Sequence, residues 1–253
     1  MAEAKTYIEE IVEAYQPEEI LCLFDIDQTI FAPTHPAAQV PNRIKHEGTF
    51  FKLMLNYAGF TPAVYGYWVV MDEQQVFDKN IFNLLNFLNE RKIKNFAFTA
   101  TPNISIEGKD LREVRIQQLL ENNINFEKNF PRQEIIFDSL NFFHGYPCFY
   151  RGIIFSNGTA VCANKGVVLN EFLKKINYNP KCIIFLDDTF LNQVDVNQAL
   201  AEKNPDIDFY GICYTGAKYI KSPEVSEEEF EKLWDDYFYR ESRMYKKIER
   251  KKF

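Results

Sequence analysis

Apolar and polar residues come along this chain in blocks. Residues 20–25 (ILCLFD) are apolar until the last position, and the pattern returns in KNFAFTA at 94–100, KCIIFLDD at 181–188 and DFYGICYT at 208–215. Short unbroken apolar runs predict strands buried on both faces. Between them, apolar residues recur at helical spacing. Ile81, Leu84, Leu85 and Leu88 do so within 78–91, and Leu111, Val114, Leu119 and Leu120 within 108–123. The stretches NKGVVLNEFLKKI (164–176) and DTFLNQVDVNQALAEK (188–203) read as helices as well. QEIIFDSL and PCFYRGIIFS flank NFFHGY, which predicts a hairpin or a short excursion. Strands alternating with helices predict an α/β fold, a three-layer Rossmann-like parallel sheet covered by helices on both faces.

Residues 31–76 break the alternation. They hold Pro33, Pro36, Pro41 and Pro62 and an aromatic run, VYGYWVV, between the first strand and the helix that should follow it. A segment this long predicts a small inserted cap or flap over the strand ends, or a packed loop with an aromatic core of its own. The core domain is then 1–30 with 77–220. From Ser226 the chain reads as one further helix, 221–253 in all: Ser226 and Glu229 make a capping box, and Phe230, Leu233, Trp234, Tyr237 and Phe238 form one apolar stripe. Its basic end (Lys246, Lys247, Arg250, Lys251, Lys252) suits the negative pole of a helix, and a weak contact with anionic membrane is the alternative use.

Composition narrows the classes. With 46% hydrophobic and 26% charged residues, the 253-residue chain has the balance of a globular protein. A net charge of −7 argues against a nucleic-acid partner, whose phosphates call for an excess of cations. No apolar run is long enough to span a bilayer and the start has no signal-peptide pattern, so a soluble protein is expected. The five cysteines are an odd number, most lie in strand-like runs, and no C-x-x-C pair occurs, which predicts buried thiols rather than disulfides or structural zinc.

The polar residues that end the apolar runs are Asp25 with Asp27, Thr99, and Asp187 with Asp188; Lys165 opens a helix. In a parallel sheet these positions converge beyond the carboxyl ends of the strands. Four acids held close raise one another's pKa unless a cation holds them, and one lysine is too little. A hard divalent cation with oxygen ligands suits them, and Mg²⁺ is the usual partner of a few carboxylates and a substrate phosphate. Asp25 could then act as a nucleophile toward phosphorus.

Asp25-x-Asp27-x-Thr29, Thr99, Lys165 and Asp187-Asp188, in this order and on these elements, resemble the four motifs of the haloacid dehalogenase superfamily of phosphotransferases over residues 18–215. The words FDID, FTA, NKG and LDD are similar to those of a bacterial subgroup, some of whose relatives are effectors delivered into host cells. The resemblance implies Asp25 as nucleophile, Asp27 as general acid/base, and Lys165 and Thr99 on the phosphoryl oxygens, with Thr29 and Ala100 as substrate-binding neighbours. It implies Mg²⁺ held by Asp25, Asp27 (through its backbone carbonyl), Asp187 and Asp188. Thr101 stands where similar chains tend to carry Arg. Receiver domains use the same residue types in another order, and no cysteine stands at C-x5-R spacing.

The implied activity is Mg²⁺-dependent phosphomonoester hydrolysis through an aspartyl-phosphate. A second acid at Asp27 is what protonation of a leaving alkoxide requires, and a mutase would share it. Tyr65, Tyr67 and Trp68 could stack on an aryl leaving group such as phosphotyrosine, and His35 lies near the motif. Expected partners are a phosphorylated small molecule or phosphoprotein, and the expected place is the cytoplasm or a host cell. The competing reading is a catalytically idle scaffold of the same fold that binds a phosphorylated or membrane partner.

Overall fold

A computed structural model describes residues 1–57, 71–130, 134–142, 145–158 and 163–250, with the side chains of 129 and 244–250 left aside. After helix α1 (Ala2–Val12) comes strand β1 (Ile20–Phe24). Then follow β2 (Phe31–Pro33), α2 (Val40–Lys45), α3 (Glu47–Tyr57) and β3 (Gln74–Val76). Helix α4 (Asn80–Glu90) leads into β4 (Lys94–Thr99), a small β5–β6 hairpin (Ser105–Ile106, Lys109–Asp110) and α5 (Leu111–Glu121). Strands β7 (Glu134–Ile136), β8 (Cys148–Tyr150) and β9 (Ile153–Phe155) precede α6 (Lys165–Ile176). The chain continues with β10 (Cys182–Asp187), α7 (Phe190–Lys203), β11 (Asp208–Cys213) and α8 (Glu227–Arg250).

Seven strands form one sheet in the order β11-β10-β1-β4-β9-β8-β7. The first five are mutually parallel; at one edge β8 runs against them, and β7, antiparallel to β8, runs with them again. The central strands show why their sequences lack alternation. Ile20, Cys22 and Phe24 of β1 pack with α1, α4 and α5 residues on one face; Leu21 and Leu23 pack with α6 and α7 residues on the other. With helices on both sides, neither face of the strand can be polar. The three-layer α/β architecture expected from the apolar blocks is therefore the one observed.

The segment PCFYRGIIFS is where the strand pattern misleads. It divides at Arg151-Gly152, both at positive φ (47° and 83°), into the β8–β9 hairpin. A Cβ on Gly152 would lie 2.4 Å from the backbone of Phe126, so glycine answers both the turn and the close approach. The helix after β4 also starts later than its polarity suggests. The β5–β6 turn takes Glu107 and Gly108 through positive φ, and Asp110 caps α5 by accepting from Arg112 N (2.9 Å).

The segment after β1 leaves through β2 and returns through β3, paired antiparallel in a short ribbon. Its helix α3 packs on α8, and Ala37, Ala38, Leu53, Phe230, Trp234, Tyr237 and Phe238 share a buried cluster separate from the two sheet faces. Trp234 Nε1 donates to the carbonyl of Ala37 at 3.0 Å. The capping box of α8 forms reciprocally: Glu229 N donates to Ser226 Oγ (3.2 Å) and Ser226 N to Glu229 Oε2 (3.1 Å). Tyr65, Tyr67, Trp68 and His144 lie outside the described residues, as do the side chains of the basic end. Among the described residues no helix is long and apolar enough to cross a membrane. Cys22, Cys148 and Cys182 are buried free thiols and Cys213 is an exposed one.

Candidate active site

Parallel register brings the strand ends level. Phe24 pairs with Leu186, and Asp25 N donates to Leu186 O at 2.8 Å, so Asp25 and Asp187 emerge side by side. The chain then turns sharply, with Gln28 at φ 64° and Ile30 and Phe31 both donating to Ile26 O at 2.9 Å. From the far side of the sheet comes Lys165, the first residue of α6. Asn164 before it takes the left-handed conformation (φ 56°). Gly166 after it lets α6 press on α7, since a Cβ there would stand 2.5 Å from Asp195 O. Each residue of the NKG word thus has a separate task.

Lys165 is fully buried, and its Nζ reaches Asp25 Oδ1 and Asp187 Oδ2, each at 2.6 Å. Its ammonium lies over the rings of Phe185 and Phe98, Nζ being 5.1 and 5.3 Å from their centroids. Burial alone would depress this ammonium, but Asp187 and Asp25 outweigh it and hold its pKa above the ordinary lysine range. Asp187 is fixed further by Thr189 N (2.8 Å) and Asn192 Nδ2 (3.0 Å to each oxygen). Asp188 is half-buried and accepts from the Thr189 hydroxyl at 3.2 Å; the N-cap of α7 is Thr189 itself, whose side chain makes no capping bond.

Asp25, Asp187 and Asp188 offer carboxylate oxygens within 4.8 Å of one another. Burial first, then the charges of Asp187, Asp188 and Asp27, push the Asp25 carboxyl well above its usual range against the pull of Lys165. Burial and Asp187 push Asp188 up to about 6. Three carboxylates against one ammonium leave an excess of negative charge, and a donor set of hard oxygens fits Mg²⁺. Asp25, Asp187 and Asp188 are the side chains that would hold it.

The carboxylate of Asp27 lies apart from this group, ion-paired with Arg115 of α5. The ligand role implied for Asp27 belongs to its backbone carbonyl, so its side chain is available for this pair. Thr99 is fully buried; its Oγ1 lies 2.9 Å from Thr101 Oγ1 and accepts from Thr101 N at 3.1 Å. Ala100 is half-buried, its carbonyl accepting from Gly158 N at 3.0 Å. Thr29 is wholly buried beneath the turn, its hydroxyl without a partner among the described residues. His35 is exposed and caps a short turn, its Nδ1 accepting from Ala37 N at 3.2 Å.

Two arginines join the site unannounced. Arg115 stands four residues from Leu111 and from Leu119, on the buried stripe of α5, while Val114 and Leu120 are only half-buried. A charged residue inside an apolar stripe was its one legible signal. Arg43 of α2 sits in the field of Asp188 and Asp27, which oppose the downward push of burial on its guanidinium. Nothing in the pattern around Arg43 marks it.

Fold and site define an α/β protein with an acid–lysine centre at the carboxyl edge of a parallel sheet. The chain belongs to the family described as "Protein of unknown function (DUF2608)", whose model matches residues 1–246. An uncharacterised protein of Rickettsia conorii is 22% identical over 220 residues, covering 84% of this chain and 73% of its own. One of Rickettsia typhi is 46% identical over 65 residues, 25% of this chain and 21% of its own. A solved HAD family hydrolase from Salmonella enterica serovar Typhi aligns over 89% of this chain and 82% of its own, with 13% identity and a TM-score of 0.38. A likeness that distant says nothing about chemistry.

Proposed function

We propose that this chain is a Mg²⁺-dependent phosphomonoester hydrolase that works through an aspartyl-phosphate on Asp25. The observation that carries the reading is the buried Lys165 ammonium shared by Asp25 and Asp187, with Asp188 completing a tight group of carboxylates. A purely structural site gains little from carboxylates that raise one another's pKa, whereas a phosphoryl-transfer site needs a cation-binding cluster beside a nucleophile.

The divalent ion, when bound, would supply positive charge to the phosphoryl oxygens. Asp25, whose Oδ1 is held by Lys165, presents Oδ2 to phosphorus; the new O–P bond forms as the ester P–O bond breaks. Asp27, with its side chain 37% exposed, faces solvent enough to give a proton to the departing oxygen. In the second half it takes a proton from the water whose oxygen attacks phosphorus, and the bond to Asp25 breaks. Lys165 stays charged throughout, holding Asp25 and the phosphoryl group it carries.

Aryl phosphates, phosphotyrosine among them, are the substrates this reading favours, on the aromatic sequence of the insert. The test is turnover of p-nitrophenyl phosphate, phosphotyrosine and phosphoserine peptides and sugar phosphates with and without Mg²⁺. Mg²⁺-dependent release of phosphate that Asp25→Asn abolishes supports the reading. A wild type inert on the whole panel sinks it and leaves the idle scaffold.

A further inference from the structure

Arg115 is fully buried although it lies outside every motif that pointed to the site. Taking a guanidinium out of water is strongly unfavourable unless its N–H groups find acceptors. Here they do: Nη2 pairs with Asp27 Oδ1, Nε donates to Thr101 Oγ1 at 3.2 Å, and Nη1 donates to Gln118 Oε1 at 3.0 Å. Thr101 in turn holds the Thr99 hydroxyl through its own Oγ1 (2.9 Å) and N–H (3.1 Å). One rigid planar fork therefore sets Asp27 against Thr99, the proposed proton carrier against the proposed phosphoryl-binding hydroxyl.

The linkage runs onward. Gln118 Nε2 donates to the carbonyl of Asp72 at 3.2 Å, just ahead of the returning strand β3, and the carboxylate of Asp72 accepts from the Tyr237 hydroxyl of α8. Tyr237 packs edge-on against Trp234, whose indole is tied to Ala37 at the start of the insert.

We infer that Arg115 is a positioning residue for phosphoryl transfer: it fixes Asp27 and the Thr99–Thr101 pair in one geometry, braced through Gln118 and Asp72 against the seat of α8. The inference rests on the hydrolase reading for its chemistry. Its geometry can be measured without turnover.

Two measurements on the full chain decide it. In Mg²⁺-dependent hydrolysis of p-nitrophenyl phosphate, Arg115→Met is expected to lower kcat about 100-fold, as displacement of a reacting group does. KM should change less, Arg115→Lys should recover part of the loss, and Gln118→Met and Tyr237→Phe should show smaller losses of the same kind. In amide hydrogen exchange, Arg115→Met should lose protection at Gln28, Ile30, Phe31 and Thr101, whose N–H bonds close the two turns, while β1 and β10 keep theirs. Should Arg115→Met fail to fold, Gln118→Met and Tyr237→Phe carry both measurements. A wild type without turnover defeats the hydrolase reading and takes the phosphoryl-transfer role with it, while exchange still decides whether Arg115 clamps the two turns. Wild-type kcat in the variants, or unchanged exchange at the four amides, overturns the inference.

Discussion

Asp25 carries a cost that its neighbours do not remove. Its carboxyl is raised by burial and by Asp187, Asp188 and Asp27, with Lys165 as the opposing charge. A raised folded pKa means that the stability this group contributes is full below its unfolded value and is lost as pH rises through the folded one. At neutral pH, Asp25→Asn should therefore unfold at a temperature no lower than the wild type without divalent ions, while abolishing hydrolysis. A clear drop in thermal midpoint would show that the negative charge is needed structurally. Asp188 gives a second handle, because its carboxyl is raised only to about 6. A proton there competes with the cation, so Mg²⁺ affinity, read by calorimetry, should fall as pH is lowered through about 6. Asp188→Asn should bind more weakly and flatten that dependence. An affinity flat from pH 7 to 5 in the wild type would remove Asp188 from the ligand set.

Among the elements, α8 joins what the chain separates. It begins at Glu227, far along the chain from the insert, and still buries Phe230, Trp234, Tyr237 and Phe238 against Ala37, Ala38 and Leu53. Its apolar stripe and capping box were plain in the sequence; what the stripe would cover was not, because partner choice at long range depends on the shapes of both faces. The same holds of β8 and β9, whose β character was legible while the turn between them was marked only by the Arg151-Gly152 break in the apolar run. Truncating Trp234, which is 1% exposed, should cost about 3–5 kcal/mol by the usual penalty for emptying an aromatic site. That loss should be local to the joint cluster. In Trp234→Ala, amides of α2, α3 and α8 are expected to exchange faster together while those of β1 and β10 hold. Uniform acceleration over the whole sheet would mean that the insert and α8 do not open as a unit.

Across the molecule, the legible and the hidden residues divide by their place within an element, at its end or along its body, and not by distance along the chain. Asp25, Thr99 and Asp187 sit at the ends of strands whose apolar patterns fix where they end, so parallel register brings them to one edge, and Lys165 opens the helix that follows β9. Arg115 comes to Asp27, and Arg43 into the field of Asp188 and Asp27, from helices whose approach no local spacing records. The buried charges they help to balance bear on global stability, and Lys165 shows this best. Its ammonium is shared by Asp25 and Asp187. Lys165→Met leaves those two carboxylates in the interior uncompensated, which should cost about 3–5 kcal/mol at neutral pH in the absence of divalent ions. If the acids are a cation site, Mg²⁺ takes over part of the lost charge. The variant should then gain more stability from saturating Mg²⁺ than the wild type gains, with ion binding linked to folding. Acidification should help it too, because protonating Asp25 removes repulsion that its raised pKa already registers. Urea unfolding at pH 7 and pH 5, with and without Mg²⁺, reads all four terms. Recovery on acidification without recovery by Mg²⁺ would mean that the carboxylates repel one another but do not bind the ion.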